Sequence, residues 1–317
     1  MMRHFASRAL LACLMATTAG MLPQAASAKD LKSVGVTVVD LGNPFFGAIA
    51  KSIEAQVKQA AGPDAKTLVV SGDYDLGKQS TQFDNFIQAG VDLIIVSAVD
   101  SRAIGAAIKR AEAAGIPVVA IDNTADGAQA TITTDNVTAG KQACEYIATK
   151  LGGKGNLLIV NGPPVSGVID RVAGCKDVLS KSPDIKILSD NQNGIGTREG
   201  GLNVTTGLLT ANDNVNAIFT INDPSAIGAD LAAKQLNRTG IVITTVDGSP
   251  DIEAALKGNT MIEASSAQLP SALAAAAVKA GVSLLKGEKL AEPSILVAPE
   301  LITRENIGSY KGWNSAQ

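Results

Sequence analysis

The chain has 317 residues, of which 46% are hydrophobic and 3% aromatic, and its formal net charge at pH 7 is −3. A weakly acidic chain without basic clusters is poorly suited to nucleic acid, because nucleic-acid-binding domains carry a concentrated positive surface. Its length exceeds what one α/β sheet usually needs, so we expect two domains.

The first 28 residues have the pattern of a secretory signal peptide. Arg3 and Arg8 form a basic start, an apolar stretch covers residues 9–19, and an Ala-Ser-Ala cleavage pattern ends at Ala28. We therefore predict export to the periplasm, with cleavage after Ala28. As an alternative, the residues before Cys13 loosely fit a lipidation pattern, which would make the chain a lipoprotein.

Cleavage would change the set of reactive side chains. The only His of the chain, His4, would be removed, which excludes a Ser-His-Asp triad and an imidazole metal site in the mature chain. We expect neither a metal nor a cofactor. Cys144 and Cys175 remain, and in an exported protein they either form a disulfide or stay as two buried thiols. We expect them on consecutive helices in the second half of the chain.

Apolar runs rich in Val and Ile alternate with helical stretches along the rest of the chain. Strands are predicted at residues 34–39, 67–70, 93–96, 118–121, 157–160, 185–188, 217–219 and 241–246. Helices are predicted at residues 46–60, 78–88, 101–114, 139–151 and 224–235. Continuous apolar strands are typical of a parallel sheet that helices cover on both faces. Because the second half repeats the plan of the first, the sequence predicts an α/β fold of two doubly wound, Rossmann-like lobes.

Polar residues follow several of these strands where the next helix begins. Asn43 precedes a helix that opens with Pro, a residue favoured at the first helical position, and Phe45 and Phe46 come next. Asn222 and Asp247 end later strands in the same way. Ligands of doubly wound sheets bind at the carboxyl ends of the strands, so these residues predict a cleft between two facing lobes.

Seven segments in order resemble the periplasmic sugar-binding proteins of ABC transporters, in particular the ribose-binding-like group with the type I fold. They are residues 43–46, 121–122, 134–137, 170–171, 222–223, 246–251 and 267–270. The resemblance covers residues 30–300 and implies two lobes, joined by three hinge segments, that close on one small sugar. It also implies delivery to an inner-membrane ABC permease. The closed form is what the permease, or a chemoreceptor, would recognise, and we expect a monomer.

The resemblance also divides the chain and names a ligand site. The first lobe would comprise residues 29–135 and 268–296, and the second lobe residues 136–267 and 297–317. The ligand-binding residues it implies are Asn43, Phe45, Phe46, Asp122, Asn123, Arg171, Asn222, Asp247 and Gln268. A sugar hydroxyl both donates and accepts, and this set offers carboxylates that accept, a guanidinium that donates and amides that do both. The two rings suit the C–H face of a sugar.

The chain departs from the family pattern at three positions. Asn123 stands where many relatives have Arg, and Gly196 and Val246 stand where ribose-binding relatives have Phe. Fewer rings on the second lobe put ribose itself in doubt as the ligand. We expect a polyhydroxyl compound of about four to six carbons, with sugar alcohols ranked alongside pentoses and above disaccharides.

Simpler roles are open to several of these residues. Asn43 would serve only as a helix cap, Asp247 would bond the backbone of its own turn, and Arg171 would pair at the surface with Asp170 or Asp177.

Other functional classes fit the sequence less well. A nicotinamide-dependent enzyme needs G-x-G-x-x-G after the first strand, and the chain does not have it. A sugar-responsive repressor would begin with a helix-turn-helix instead of an export signal. The enzyme alternative that stays open is an exported glycosidase, with Asp122 and Asp247 opposed across the cleft.

Overall fold

The computed structural model describes Met1 and residues 29–313. The predicted signal peptide, its cleavage site after Ala28 and the alternative at Cys13 lie outside the described residues. Among residues 29–313, no helix is both long and apolar enough to cross a membrane.

The strands and helices alternate over most of the described chain. The strands are β1 Ser33–Val38, β2 Lys66–Ser71, β3 Leu93–Val96, β4 Val118–Ile121, β5 Ala130–Thr134, β6 Gly155–Asn161, β7 Ile185–Asn193, β8 Ala217–Thr220, β9 Val242–Asp247, β10 Ile262–Ala267, β11 Ser294–Val297 and β12 Glu300–Thr303. The helices are α1 Pro44–Ala61, α2 Leu76–Ala89, α3 Gly105–Ala113, α4 Asn136–Lys150, α5 Ser166–Leu179, α6 Arg198–Ala211, α7 Asp223–Gln235, α8 Pro250–Lys257 and α9 Pro270–Leu285.

These strands form two six-stranded sheets with the same winding order. The first sheet runs β11-β5-β4-β3-β1-β2 and the second runs β12-β10-β9-β8-β6-β7. All neighbours are parallel except β12, which is antiparallel to β10. In each sheet the order reverses beside the first strand, between β1 and β3 and between β6 and β8, and such switch points are where ligands bind. The predicted fold of two doubly wound α/β lobes is confirmed.

The chain passes between the two sheets three times. It leaves the first sheet between β5 and α4, returns between β10 and α9, and crosses again between β11 and β12. After β12 the terminal stretch contacts both halves. Tyr310 packs against the core of the second sheet, and Trp313 belongs to the core of the first.

Helices α4 and α5 approach each other through glycines. A Cβ on Gly140 would lie 1.9 Å from the carbonyl oxygen of Arg171, so only Gly fits at this contact. Along the same contact a disulfide joins Cys144 to Cys175, whose Cα atoms are 5.1 Å apart. The two cysteines therefore lie on the consecutive helices where the sequence predicted them, and the free-thiol alternative does not describe this structure.

Two elements differ from the sequence prediction for local reasons. Helix α3 begins at Gly105 instead of residue 101, because the carboxylate of Asp100 accepts hydrogen bonds from the backbone N–H groups of Arg102 and Ala103 and holds a turn there. Strand β7 extends to Asn193, well beyond its apolar start, because it is a sheet edge whose polar residues face solvent.

Candidate functional site

The carboxyl ends of the two sheets face each other across one cavity. Its walls come from the segments that follow β1, β2 and β4 in the first sheet and β6, β7, β8, β9 and β10 in the second. All nine residues predicted from the sequence line this cavity: Asn43, Phe45, Phe46, Asp122, Asn123, Arg171, Asn222, Asp247 and Gln268. The fold thus brings the whole predicted set together, and its role in binding stays a prediction.

The wall of the cavity on the side of the first sheet, here called the first wall, is aromatic and begins at the start of α1. The side chain of Asn43 caps this helix, with Oδ1 accepting from the N–H of Phe45 at 3.0 Å. The simpler role of Asn43 is therefore present, yet its amide also lines the cavity. Phe45 and Phe46 meet edge to face at 5.6 Å between ring centroids, and both are buried. Locked together in this way, the rings offer a preformed apolar surface.

The Arg171 side chain is buried, and hydrogen bonds to protein groups hold it in place. Its Nε donates to Oδ1 of Asn136 at 2.8 Å, and Nη1 donates to the carbonyl oxygen of Ile221 at 2.8 Å. Nη1 also lies 3.4 Å from Oδ1 of Asp247. The alternative of a surface pair with Asp170 or Asp177 is wrong, because the Arg171 side chain is only 7% exposed and pairs with Asp247, while Asp177 pairs with Lys141.

Asp247 is held in an unusual backbone conformation at the end of β9. Its φ is +136°, a value that L-residues rarely adopt. Oδ1 accepts from Nε2 of Gln268 at 2.8 Å, and Oδ2 accepts from the N–H of Asp223 at 3.4 Å. Its carboxylate therefore bonds neighbouring strand ends and not its own turn. Burial raises the pKa of Asp247, and the charge of Arg171 opposes that shift.

Asp122 occupies the corresponding place at the end of β4. Its backbone φ is +65°, and Oδ2 accepts from the hydroxyl of Ser97 at 3.3 Å. Burial raises the pKa of Asp122 to about 6, the charge of Arg171 lowers it, and Asp247 raises it further. One guanidinium thus faces two buried carboxylates. Ligand hydroxyls that donate to Asp122 would replace the hydration that burial removed.

Two of the amides, Asn222 and Gln268, are largely committed to protein partners. Asn222 accepts from the N–H of Ser225 and donates to the carbonyl oxygen of Gly196 at 2.9 Å. Gln268 accepts from the hydroxyl of Thr134 at 2.7 Å while it donates to Asp247. Each amide keeps one further N–H and one further lone pair, which is what it can add to a ligand.

Asn123 joins the two halves of the cavity. Its Nδ2 donates to the carbonyl oxygen of Ala98 at 3.3 Å, and its Oδ1 accepts from the N–H of Gly167 on the other lobe at 3.5 Å. Beside it, the N–H of Thr124 donates to the hydroxyl of Ser166 at 3.0 Å. These two bonds link the segment that follows β4, in the first sheet, to the start of α5, beside the second.

The second wall of the cavity is aliphatic, and Val246 does not take part in it. Val246 is fully buried in the core of the second sheet, because it lies next to Asp247 on a strand and adjacent side chains point to opposite faces. Gly196 does line the cavity. The apolar groups of this wall are Pro163, Val165, Val168 and Ile221.

Tyr74 was missed by the sequence reasoning. It follows β2 and lines the cavity, and its hydroxyl lies 3.8 Å from where a Cβ on Gly196 would be. Burial raises the pKa of Tyr74 to about 12, and the charges of Asp40, Asp122 and Asp247 act in the same direction. Its position in the sequence could have indicated a site residue, because Tyr74 follows a strand as the other site residues do.

No described residues form a group of three or more His, Cys, Asp or Glu side chains placed to hold a metal ion.

Comparisons with known proteins agree with this geometry. The profile of the periplasmic binding protein domain matches residues 34–289. The ribose import binding protein RbsB of Bacillus subtilis (strain 168) is 30% identical over 284 residues, which are 89% of this chain and 90% of that protein. The xylitol-binding protein of Mycolicibacterium smegmatis is 32% identical over 286 residues, with 89% and 80% covered. A solved ABC transporter periplasmic solute binding protein from Actinobacillus succinogenes 130z, with bound D-allose, has a TM-score of 0.81 at 29% identity, with 88% of this chain and 99% of that chain covered.

These relatives are binding proteins by name, so they give no support to the glycosidase alternative that opposed Asp122 and Asp247. The resemblance drawn from the seven sequence segments is confirmed. A profile match over most of the chain, and relatives aligned along nearly all of it, show that this chain belongs to the periplasmic binding protein family.

Proposed function

We propose that this protein is an exported receptor that binds a sugar or sugar alcohol of about four to six carbons between its lobes and delivers it to an ABC importer. The observation that carries the proposal is the buried group of Asp122, Arg171 and Asp247 beside the rings of Phe45 and Phe46. Carboxylates and a guanidinium form the strong hydrogen bonds that orient hydroxyls, and the rings contact carbon-bound hydrogens.

The chemistry of the second wall favours a compact or flexible polyol over a flat ring held between aromatics. This wall is aliphatic and includes Gly196, so an apolar ring face gains less there than it would against a second pair of rings. Xylitol and D-allose are the ligands named for two of the relatives. Both are small polyhydroxyl compounds, and we rank xylitol first.

Binding would operate by population shift. A ligand that touches both walls does so only when the lobes are closed, so it stabilises closure. The bonds from Thr124 to Ser166 and from Gly167 to Asn123 would form on closure. The moving units would be residues 29–135 with 268–296 and residues 136–267 with 297–317. An ABC permease, or a chemoreceptor, would recognise the closed monomer, which works in the periplasm after cleavage at Ala28.

A thermal-shift screen of the mature chain tests this proposal. The panel contains xylitol, D-ribose, D-allose, erythritol, myo-inositol and maltose. A compound present at a thousand times its Kd stabilises the native state by about 4 kcal/mol, which shifts the melting temperature on the order of 10 °C. We expect the polyols and pentoses to give shifts of this size and maltose to give none.

Two outcomes would contradict the proposal in different ways. A response to hexopyranoses or maltose alone would reject the argument from the aliphatic wall. A flat response to the whole panel would reject a small sugar as the ligand. Incubation with ¹³C-labelled ligand, followed by NMR, would detect turnover and so expose an enzyme, whereas we expect the compound to be recovered unchanged.

A further inference from the structure

The end of the described chain passes behind the ligand site, from one lobe to the other. Tyr310 packs on the core of the second sheet, and the indole of Trp313 packs in the core of the first. Trp313 meets the ring of Phe45 edge to face at 5.8 Å, and its carbonyl oxygen accepts from the hydroxyl of Ser271 at 3.0 Å. This short segment therefore contacts a predicted ligand-binding ring from behind.

The same two side chains donate to consecutive carbonyl groups. Nε1 of Trp313 donates to the carbonyl oxygen of Asp247 at 2.7 Å, and the hydroxyl of Tyr310 donates to that of Gly248 at 2.9 Å. Asp247 and Gly248 form the turn after β9, with φ values of +136° and +74°. A non-Gly residue keeps such a conformation only when its surroundings enforce it. The two donors supply that enforcement.

Other groups hold the turn from its remaining sides. The N–H of Gly248 donates to the hydroxyl of Ser265, and the N–H of Ser249 donates to Oδ2 of Asp223 at 2.7 Å. A Cβ on Gly248 would lie 2.6 Å from the hydroxyl of Tyr310, so the fit between turn and tail is close. The direction of the Asp247 carboxylate thus depends on contacts far from it in sequence.

We propose that Tyr310 and Trp313 are positioning residues for the ligand site, a C-terminal clamp that fixes the Asp247 turn and links it to Phe45. The inference rests on the proposed function for its effect on affinity. Asp247 belongs to the second lobe and Phe45 to the first, so the clamp connects the two walls of the cavity at its base.

Conservative variants test the clamp by affinity. Trp313→Phe keeps a ring against Phe45 and removes the N–H donor, and Tyr310→Phe removes only the hydroxyl. Tyr146→Phe is the matched control, because it removes a hydroxyl that bonds Glu263 away from the cavity. We expect each clamp variant to bind xylitol about tenfold more weakly by calorimetry, as the loss of one buried hydrogen bond implies. Wild-type affinity in both variants would overturn the proposal.

A second measurement does not depend on the ligand. Trp313 is the only Trp in the chain, so ¹⁵N-labelled protein gives one indole N–H signal. We expect that proton to exchange at least about a hundredfold more slowly than in free indole, as a buried hydrogen bond requires. Tyr310→Phe should move the backbone amide signals of residues 247–249, and Tyr146→Phe should leave them in place.

The two measurements separate the two proposals. If xylitol and the rest of the panel fail to bind the wild-type protein, the proposed function is wrong, and the indole signal still decides the clamp. A rapidly exchanging indole, or amide signals of residues 247–249 that ignore Tyr310→Phe, would overturn the clamp whatever the ligand is.

Discussion

Nη1 of Arg171 lies 3.4 Å from Oδ1 of Asp247, and their side chains are only 7% and 3% exposed. A buried ion pair is weak evidence for stability, because the desolvation of both charges offsets their attraction. Arg171 also bonds Asn136 and the carbonyl of Ile221, so it is oriented before any ligand arrives. We interpret this pair as a preset donor and acceptor for hydroxyls.

The first prediction is that Asp247→Ala weakens binding of xylitol by about 2–4 kcal/mol, because Arg171 is left as an unpaired buried charge. Calorimetry measures the change, and circular dichroism should show an intact fold. Asp177→Ala is the control, since it breaks a surface pair with Lys141. Unchanged affinity in the Asp247 variant would remove this residue from the site.

The second prediction concerns Asp122 and pH. Burial raises the pKa of this carboxyl from 3.8 to about 6, so between those values the folded state holds a proton that the unfolded state has lost. Its contribution to the free energy of unfolding therefore falls as pH rises through that window, by about 3 kcal/mol in total. The destabilisation caused by the ionised Asp122 carboxyl is fully present above pH 6 and absent below pH 4.

Asp122→Asn removes the buried carboxylate charge, so a comparison with the wild type measures the effect of that charge on stability. We expect the variant to melt at a higher temperature than the wild type at pH 7.5 and at nearly the same temperature at pH 4. Scanning calorimetry across this range gives the difference directly. The variant should also bind xylitol more weakly, because an amide accepts less strongly than a carboxylate. A stability difference that stays constant with pH would refute the raised pKa.

The third prediction tests how the α4–α5 contact positions Arg171. In Gly140→Ala, the new methyl group would lie 1.9 Å from the carbonyl oxygen of Arg171, so α5 must move. We expect a loss of about 1–3 kcal/mol in unfolding free energy and weaker binding of xylitol. Gly207→Ala in α6 is the control, because nothing lies within 4 Å of its Cβ. That variant should gain about 0.5–1 kcal/mol from helix propensity. Equal stability of the two variants would contradict the close contact.

The fourth prediction concerns the disulfide. Cys144 and Cys175 close a loop with a sequence separation of 31 residues, which corresponds to about 3–4 kcal/mol of stabilisation in the chain-entropy model. We expect dithiothreitol to lower the guanidinium midpoint of the wild type to that of the Cys144→Ala/Cys175→Ala double variant. The double variant is its own control, because reductant should not affect it. Two free thiols in the oxidised wild type by mass spectrometry would contradict the bond.

The fifth prediction concerns Tyr74, whose ring reaches from the first lobe toward Gly196. We expect Tyr74→Ala to weaken binding of xylitol about tenfold, through lost ring contact and a wetter cavity. Tyr74→Phe separates the ring from the hydroxyl, and it should retain most of the affinity if the hydroxyl does not bond the ligand. Leu68→Ala, an exposed position on β2, is the control. Full affinity in Tyr74→Ala would exclude this ring from the site.

The repeated strand-helix pattern and the polar strand ends could be interpreted from the sequence because both are local. Burial on both faces makes a strand continuously apolar, and Pro after Asn43 marks a helix start. Since parallel strands bring their carboxyl ends to one edge, residues as distant as Asn43 and Gln268 could be predicted to share a cleft. The family segments supplied the remaining members of the set.

The side chains that support that set are specified by long-range packing. Trp313 contacts Asp247 across a separation of 66 residues, and no local pattern encodes such a contact. Val246 faces the core because strand side chains alternate, a matter of register that the sequence left open. Tyr74 reaches the cavity because its turn lies beside the other lobe. Local sequence patterns are enough to specify the strands, the helices and the polar residues at their ends, whereas packing between distant elements orients those residues toward the cavity.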